Sequence, residues 1–254
     1  MHSAHTKKNL DFNLKFFQLF VSLGDNERRR GMSKRKAVAP KDWRETLFFW
    51  HGALEGWIWK GTWVGGESDL PPLDLFENQN TFEAKVLTLE GEGSPPAGEC
   101  TLDVLLGSYF SVDSSYQLDN GDGHEAYQDL DGEGYTQTLV IQQALAAGSA
   151  GSTGLAPVAL AAACGENQFG HFSSFGYLSN QAGGGLKLTL ARRYLHPGDE
   201  RAERVGNKEQ LKAFLQSAEE AVGGETGVQT DLLAGRWQNI LPYRAKGAKK
   251  KAKS

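Results

Sequence analysis

The sequence predicts a mainly β protein: a single antiparallel β-barrel of about 8–10 strands, with one C-terminal helix over residues 208–222. Three observations lead to this fold class. The chain has 31 glycines in 254 residues, which suits a turn-rich β protein better than a helical one. Apolar residues alternate with polar ones in one segment after another from Thr46 onward. About nine such segments follow with no helix between them, which indicates antiparallel pairing.

The predicted strands are short segments bounded by turn residues. In "LKLTLARRYL", Leu186, Leu188 and Leu190 share one face. In "TLDVLLGSYFSV", alternation from Leu102 to Val112 predicts a half-buried strand. The other predicted strands are 46–51, 57–65, 81–90, 124–130, 136–143, 157–164 and 169–178. The strongest hairpin signals are Asn120-Gly121, Asp122-Gly123 and Asp131-Gly132.

One helix is well signalled after the last long strand. Asn207 is suited to cap its first turn, with Gln210 three residues later as in a capping box. Gly223 is placed to end the helix. The segment "GRWQNIL" then predicts a short closing strand. The apolar face of the helix consists of Leu211, Phe214, Leu215, Ala218 and Val222.

Charge divides the chain into three parts. Residues 1–44 have a net charge of about +7 and residues 242–254 about +6, which leaves about −17 for residues 45–241. We expect a disordered or helical basic leader, a barrel domain with its C-terminal helix, and a disordered basic tail over these ranges. The acidic body argues against a nucleic-acid surface on the folded domain, whereas the tails suit nuclear import or weak polyanion binding.

The cellular compartment is predicted from cysteine content and hydropathy. Cys100 and Cys164 do not make a disulfide framework, which favours reduced thiols in an intracellular protein. No apolar run reaches the roughly 18–20 residues that a membrane helix needs. We therefore expect a nuclear or cytoplasmic location and no membrane partner.

Half of the six tryptophans lie in "GWIWKGTWVGG". In an extended strand, Trp57, Trp59, Gly61 and Trp63 share one face, which the size of the indoles predicts to be inward. Gly61 leaves room on that face for a neighbouring group or a bend in the strand. Two interpretations stay open: the tryptophans form part of the core, or some of them line a ligand cavity.

The two ends of the β region resemble the lipocalin-like, or calycin, barrels. Gly61–Trp63 matches the G-x-W motif on the first strand of that family, and the strand "LTLARRY" followed by the helix 208–222 matches its late layout. The resemblance implies a barrel that binds a small ligand. It also implies that an arginine at the end of the late strand packs over the first-strand tryptophan, here Arg192 over Trp63.

An acidic cluster is the first candidate for chemistry. Carboxylates at this density suit calcium, but a calcium-loop template started at Asp129 places Val140 where a bidentate carboxylate is needed. Solvated hairpin turns explain the segment better. The cluster is Asp119, Asp122, Glu125, Asp129, Asp131 and Glu133.

Other catalytic patterns are weak. Cys164 and His171 could form a nucleophile–base pair, but no orienting third group is evident. The histidines lack metal-ligand spacing, and no nucleophile elbow or phosphate-binding loop occurs. We therefore predict no catalytic residue, no metal site and no cofactor, and we lean towards a protein that is not an enzyme.

Two functions follow from these patterns. The first is a non-enzymatic binding barrel for a small apolar or aromatic ligand, with Trp57, Trp59, Trp63 and Arg192 as the ligand-binding residues. The alternative is a nuclear or cytoplasmic protein-interaction module that uses acidic loops to bind basic partners and basic tails for targeting. A nucleic-acid partner is expected only weakly, through the tails.

Overall fold

The computed structural model describes the β region and the helices that flank it. The predicted basic tail and all of the leader except Arg44 lie outside the described residues. The described residues are 44, 46–66, 80–89, 100–119, 124–128, 137–143, 157–167, 169–181, 184–196, 198–217, 231–232 and 234–240.

The described strands form one antiparallel sheet. Most lie within one to four residues of the predicted ranges. They are β1 (Leu47–Glu55), β2 (Ile58–Gly66), β3 (Asn80–Leu89), β4 (Tyr109–Asp119), β5 (His124–Gln128), β6 (Gln137–Gln143), β7 (Pro157–Asn167), β8 (Gly170–Asn180) and β9 (Leu186–Tyr194).

The sheet closes into an eight-stranded barrel with up-and-down order. β9 pairs with β1, from Phe48 opposite Arg192 to Leu54 opposite Leu186. β5 and β6 both pair with the side of β4 that faces away from β3, so together they serve as one interrupted strand of the barrel. Closure removes the unpaired edges that an open sheet would expose. The predicted antiparallel barrel is confirmed.

Helices flank the barrel. They are α1 (Leu102–Leu105), α2 (Ala202–Val205), α3 (Lys208–Ser217) and a 3-10 helix (Trp237–Asn239). Asn207 Oδ1 accepts a hydrogen bond from the Gln210 amide at 3.0 Å, as predicted for the cap, while Gln210 Oε1 accepts from the Gly206 amide at 2.9 Å. The predicted continuation of α3 to residue 222, and Gly223 beyond it, lie outside the described residues. None of the described helices is long and apolar enough to cross a membrane.

Two segments that the sequence predicts as strands are helical. Residues 102–105 form α1 because Leu102, Leu105 and Leu106 have helical spacing and pack against the barrel interior. Residues 237–239 form a 3-10 helix instead of a closing strand. Since β9 already pairs with β8 and β1, it has no free edge with which this segment could pair.

The barrel wall separates two apolar clusters. The inner cluster fills the barrel and is rich in aromatic rings from β1 to β4. The outer cluster lies between the outward faces of β1 and β6–β9 and the helices, with Leu211, Phe214 and Trp237 among its members. β7, β8 and β9, which contribute to both clusters, are therefore buried over most of their length.

Candidate functional site

The inward face of β2 carries two tryptophans of "GWIWKGTWVGG", Trp59 and Trp63, as the alternation predicts, and Trp57 lies just before the strand. Trp59 and Trp63 are buried in the inner cluster. Trp57 packs against the same cluster but is half-buried, because it lies in the turn between β1 and β2 beside Gly56, whose φ is 59°. The three indoles therefore form a row that begins at the β1–β2 turn and continues along β2 into the barrel interior.

Gly61 is required by the close approach of two backbones. It lies opposite Gly52 of β1. A Cβ atom on Gly61 would lie 2.5 Å from Gly52 Cα and closer still to the carbonyl oxygen of His51. The neighbouring group for which Gly61 leaves room is thus the backbone of β1.

Trp50 is the central ring of the interior, and the sequence interpretation did not identify it. Its ring stacks on Trp63 with 5.6 Å between centroids and an interplanar angle of 18°. The Phe82 and Tyr116 rings meet it edge-on at 4.9 and 5.4 Å. Offset stacking and edge contacts of this kind are the favoured geometries of aromatic pairs.

The inward position of Trp50 could not be predicted from the residue pattern of β1. Phe48 and Trp50 point inward while Leu47 and Phe49 join the outer cluster, so both faces of the strand are apolar. Alternation cannot assign a face when neither face is polar. The pairing of Trp50 with Trp63 was available only from the hairpin register.

Arg192 points into the barrel as strand parity predicts, and its side chain is only 2% exposed. The predicted partner was wrong: the guanidinium carbon lies 4.5 Å from the centroid of the Trp50 ring and 3.9 Å from that of Phe172, rather than over Trp63. The reason is strand order. The G-x-W segment lies on β2, the second strand, and β1 stands between β2 and β9.

A polar relay crosses the interior from Arg192. Its Nη2 donates a hydrogen bond to Gln137 Oε1 at 3.2 Å, and Gln137 Nε2 donates to Ser114 Oγ. These residues lie on β9, β6 and β4, and all three are buried. The relay fixes the guanidinium against the aromatic rings and places a positive charge inside the barrel.

The interior indoles differ in their hydrogen bonding. Trp63 Nε1 donates to the carbonyl oxygen of Gln117 at 2.9 Å. Among the described residues, the buried Nε1 atoms of Trp50 and Trp59 find no hydrogen-bond acceptor. Buried tryptophan N–H groups usually find an acceptor, so these two donors are unusual.

Small residues line the part of the wall formed by β7 and β8. The large rings of β1–β4 therefore face a wall that takes up little of the interior volume. The small inward residues are Ala159, Ala161, Ala163 and Gly176.

The cysteine and histidine candidates for catalysis are poorly placed. Burial raises the pKa of the Cys164 thiol to about 12, and Cys164 belongs to the outer cluster. His171 is exposed, with Nδ1 3.5 Å from Glu166 Oε2. The thiol of Cys164 is thus protonated at neutral pH and is a poor nucleophile.

His51 is a further buried histidine. His51 Nδ1 and Thr189 Oγ1 share a hydrogen bond of 2.8 Å, and burial, followed by the charge of Lys187, lowers the pKa of His51 to about 4.

The side chains of the acidic cluster lie outside the described residues, as do the predicted hairpin turns. Within the described ranges, no group of three or more His, Cys, Asp or Glu side chains could hold a metal ion.

The structure thus brings Trp57, Trp59, Trp63 and Arg192 together in one interior, with Trp50 and Phe172 between them. Their contact with a ligand remains a prediction. Comparison with known proteins found no match to a family model, a curated protein or a solved structure.

Proposed function

We propose that this protein is a non-enzymatic, calycin-like binding barrel. Its interior holds a small, planar, largely apolar ligand that carries a hydrogen-bond acceptor. The observation that carries the proposal is the pair of buried indole N–H groups, on Trp50 and Trp59, for which the described part of the chain provides no acceptor. Trp57, Trp63 and Arg192 complete the proposed ligand surface.

The two donors are costly to the barrel when no ligand is bound. A buried donor without an acceptor costs about 1–3 kcal/mol. A ligand whose acceptor atom reaches either indole would remove that cost, so part of the binding free energy is already stored in the barrel. The Trp63 N–H group already donates to the carbonyl oxygen of Gln117, so it carries no such cost.

The rest of the interior favours a flat ligand. The rings of Trp50 and Trp59 both meet the Phe82 ring edge-on, and a flat aromatic ligand would extend packing of the same kind. The positive charge of Arg192 favours acceptor atoms with negative partial charge. Apolar lining with a few polar groups is the usual composition of small-molecule sites.

The charge segregation of the chain favours a second candidate function. An acidic body of about −17 between two basic segments suits a nuclear or cytoplasmic interaction module that binds basic partners. We propose an intracellular location on the same ground. Deletion of residues 245–254 should relocate a tagged copy, and an unchanged location would contradict a targeting role for the tail.

Native mass spectrometry of the protein, purified gently from its own cells, tests the binding barrel. We expect a small adduct of defined mass. Trp50→Phe and Trp59→Phe each remove one N–H group while keeping an aromatic ring, and the substitution at the indole that donates to the ligand should weaken binding by about five- to tenfold, the value of one hydrogen bond. Trp63→Phe is the matched control and should retain the adduct.

A planar dye with a sulfonate acceptor, 1-anilinonaphthalene-8-sulfonate, serves as a probe of known structure in the same variants. A bare chain that also fails to bind the dye would overturn the proposal. The same holds if Trp63→Phe weakens binding as much as the more disruptive of the other two substitutions, since the unpaired donors would then have no special role.

A further inference from the structure

We infer that the protein has a second binding site, on the outside of the barrel, for a small anion with an apolar body. The site is the cleft between β6, α3 and the turn after α1, called here the β6–α3 cleft. Its volume is about 280 Å³, close to the lower end of small-molecule sites, about 300–1,000 Å³. Its lining residues are Leu106, Gly107, Val140, Ile141, Gln142 and Lys212.

α3 carries Lys212, whose side chain lines this cleft, and Lys208, whose ammonium group lies near the same tyrosine ring. Lys208 and Lys212 are four residues apart, and their Nζ atoms lie 5.4 and 5.8 Å from the centroid of the Tyr109 ring. Like charges at this spacing on a helix repel each other, and the ring holds both by cation–π attraction. An anion in the cleft would be attracted by both charges and would reduce their repulsion.

Lys212 is the main anion contact that we assign. It lines the cleft itself, whereas Lys208 also has a loose ion pair with the exposed Glu209, at 3.8 Å. The two lysines belong to a domain whose net charge is strongly negative. A local pair of positive charges at a cleft therefore sets this surface apart from most of the body.

Gln142 supplies a polar group that can adapt to the ligand. Its Oε1 atom is buried and has no hydrogen-bond partner among the described residues. Rotation of the terminal torsion can turn this oxygen towards a ligand without breaking a hydrogen bond to the oxygen within that part of the chain. The side chain can then bond to a hydroxyl or other polar group next to the anion.

The other side chains of the β6–α3 cleft define the body of the ligand. Leu106 and Val140 are apolar, and Gly107 adds backbone without a side chain. The chemistry points to an aryl carboxylate or aryl phosphate in preference to a bare inorganic ion. The site is separate from the barrel interior, because Gln142 lies at an outward position of β6.

Titration of the full chain, labelled with nitrogen-15, with phenyl phosphate and with benzoate tests the inference. We expect saturable shifts of the Gly107 and Val140 amides with at least one of the two anions, and binding of neutral phenol at least roughly tenfold weaker. Lys212→Gln should weaken anion binding by roughly five- to tenfold. Lys60→Gln, on the distant strand β2, is the matched control.

Three results would overturn the inference: neither anion binds saturably, phenol binds as well as the anions, or Lys60→Gln weakens binding as much as Lys212→Gln. Amide spectra check that each variant is folded. If Lys212→Gln does not fold, Lys208→Gln provides the same test. Trp50→Phe should leave anion binding unchanged, which separates this site from the proposed interior site.

Discussion

Replacement of Gly61 by alanine should destabilise the barrel strongly. The added Cβ would lie 2.5 Å from Gly52 Cα, whereas carbon atoms in contact are normally about 3.5–4.0 Å apart. β1 and β2 would have to separate locally by about 1 Å. The cost of perturbing one or two ladder hydrogen bonds is about 1 kcal/mol each, and repacking of the adjacent rings adds about 1–3 kcal/mol. We therefore expect a loss of about 2–5 kcal/mol in the free energy of unfolding.

Urea unfolding followed by tryptophan fluorescence measures this loss, and Gly198→Ala is the matched control. Gly198 has a φ of 72°, and apart from its chain neighbours no atom of the described residues lies within 4 Å of an added Cβ, so its substitution should cost only the left-handed backbone penalty of about 1–2 kcal/mol. A loss in Gly61→Ala no greater than that in Gly198→Ala would refute the reasoning. β1 and β2 could then separate at Gly61 with little loss of stability. The close approach of their backbones would not explain why a glycine interrupts the aromatic face.

Two further predictions concern titratable groups. The pKa of His51 is lowered from 6.5 to about 4 by burial and by the charge of Lys187, so the unfolded chain takes up a proton between these values that the folded protein does not. The unfolding free energy should therefore fall by about 3 kcal/mol as the pH is lowered from 6.5 to 4 because of this group. Urea unfolding of His51→Gln should lack this part of the pH dependence. A variant with the same pH profile as the original protein would contradict the prediction. Burial raises the pKa of Cys100 to about 11 and that of Cys164 to about 12, so at pH 8 both thiols of the folded protein should react with Ellman's reagent far more slowly than free cysteine, with Cys164 the slower. A Cys164 as reactive as free cysteine, assigned with Cys100→Ser, would count against its burial.

The sequence determined the features that depend on neighbouring residues. Alternation placed Trp57, Trp59 and Trp63 on one face and Arg192 on the inward face of β9, because side-chain direction in a strand has a period of two. The cap at Asn207 was predictable because its partners are within three residues. The antiparallel class followed from the absence of crossover helices.

Local patterns failed where a segment has two plausible local structures. In 102–112, alternation and helical spacing coexist, and only docking of Leu105 in the end of the barrel selects the helix of α1. In 236–240, a strand would need a free edge, and closure of β9 on β1 removes it. Both decisions rest on contacts with residues distant in sequence.

Only the tertiary structure decided which residues meet inside the barrel. The closure of β9 on β1 places Arg192 over Trp50, whereas the motif alone implied Trp63. The unpaired indoles of Trp50 and Trp59, and the meeting of α3 with β6 at the external cleft, likewise depend on strand register and helix docking. Periodicity specifies the face on which a side chain lies, but its partner across the barrel depends on strand order and register, which are set by the packing of the whole sheet.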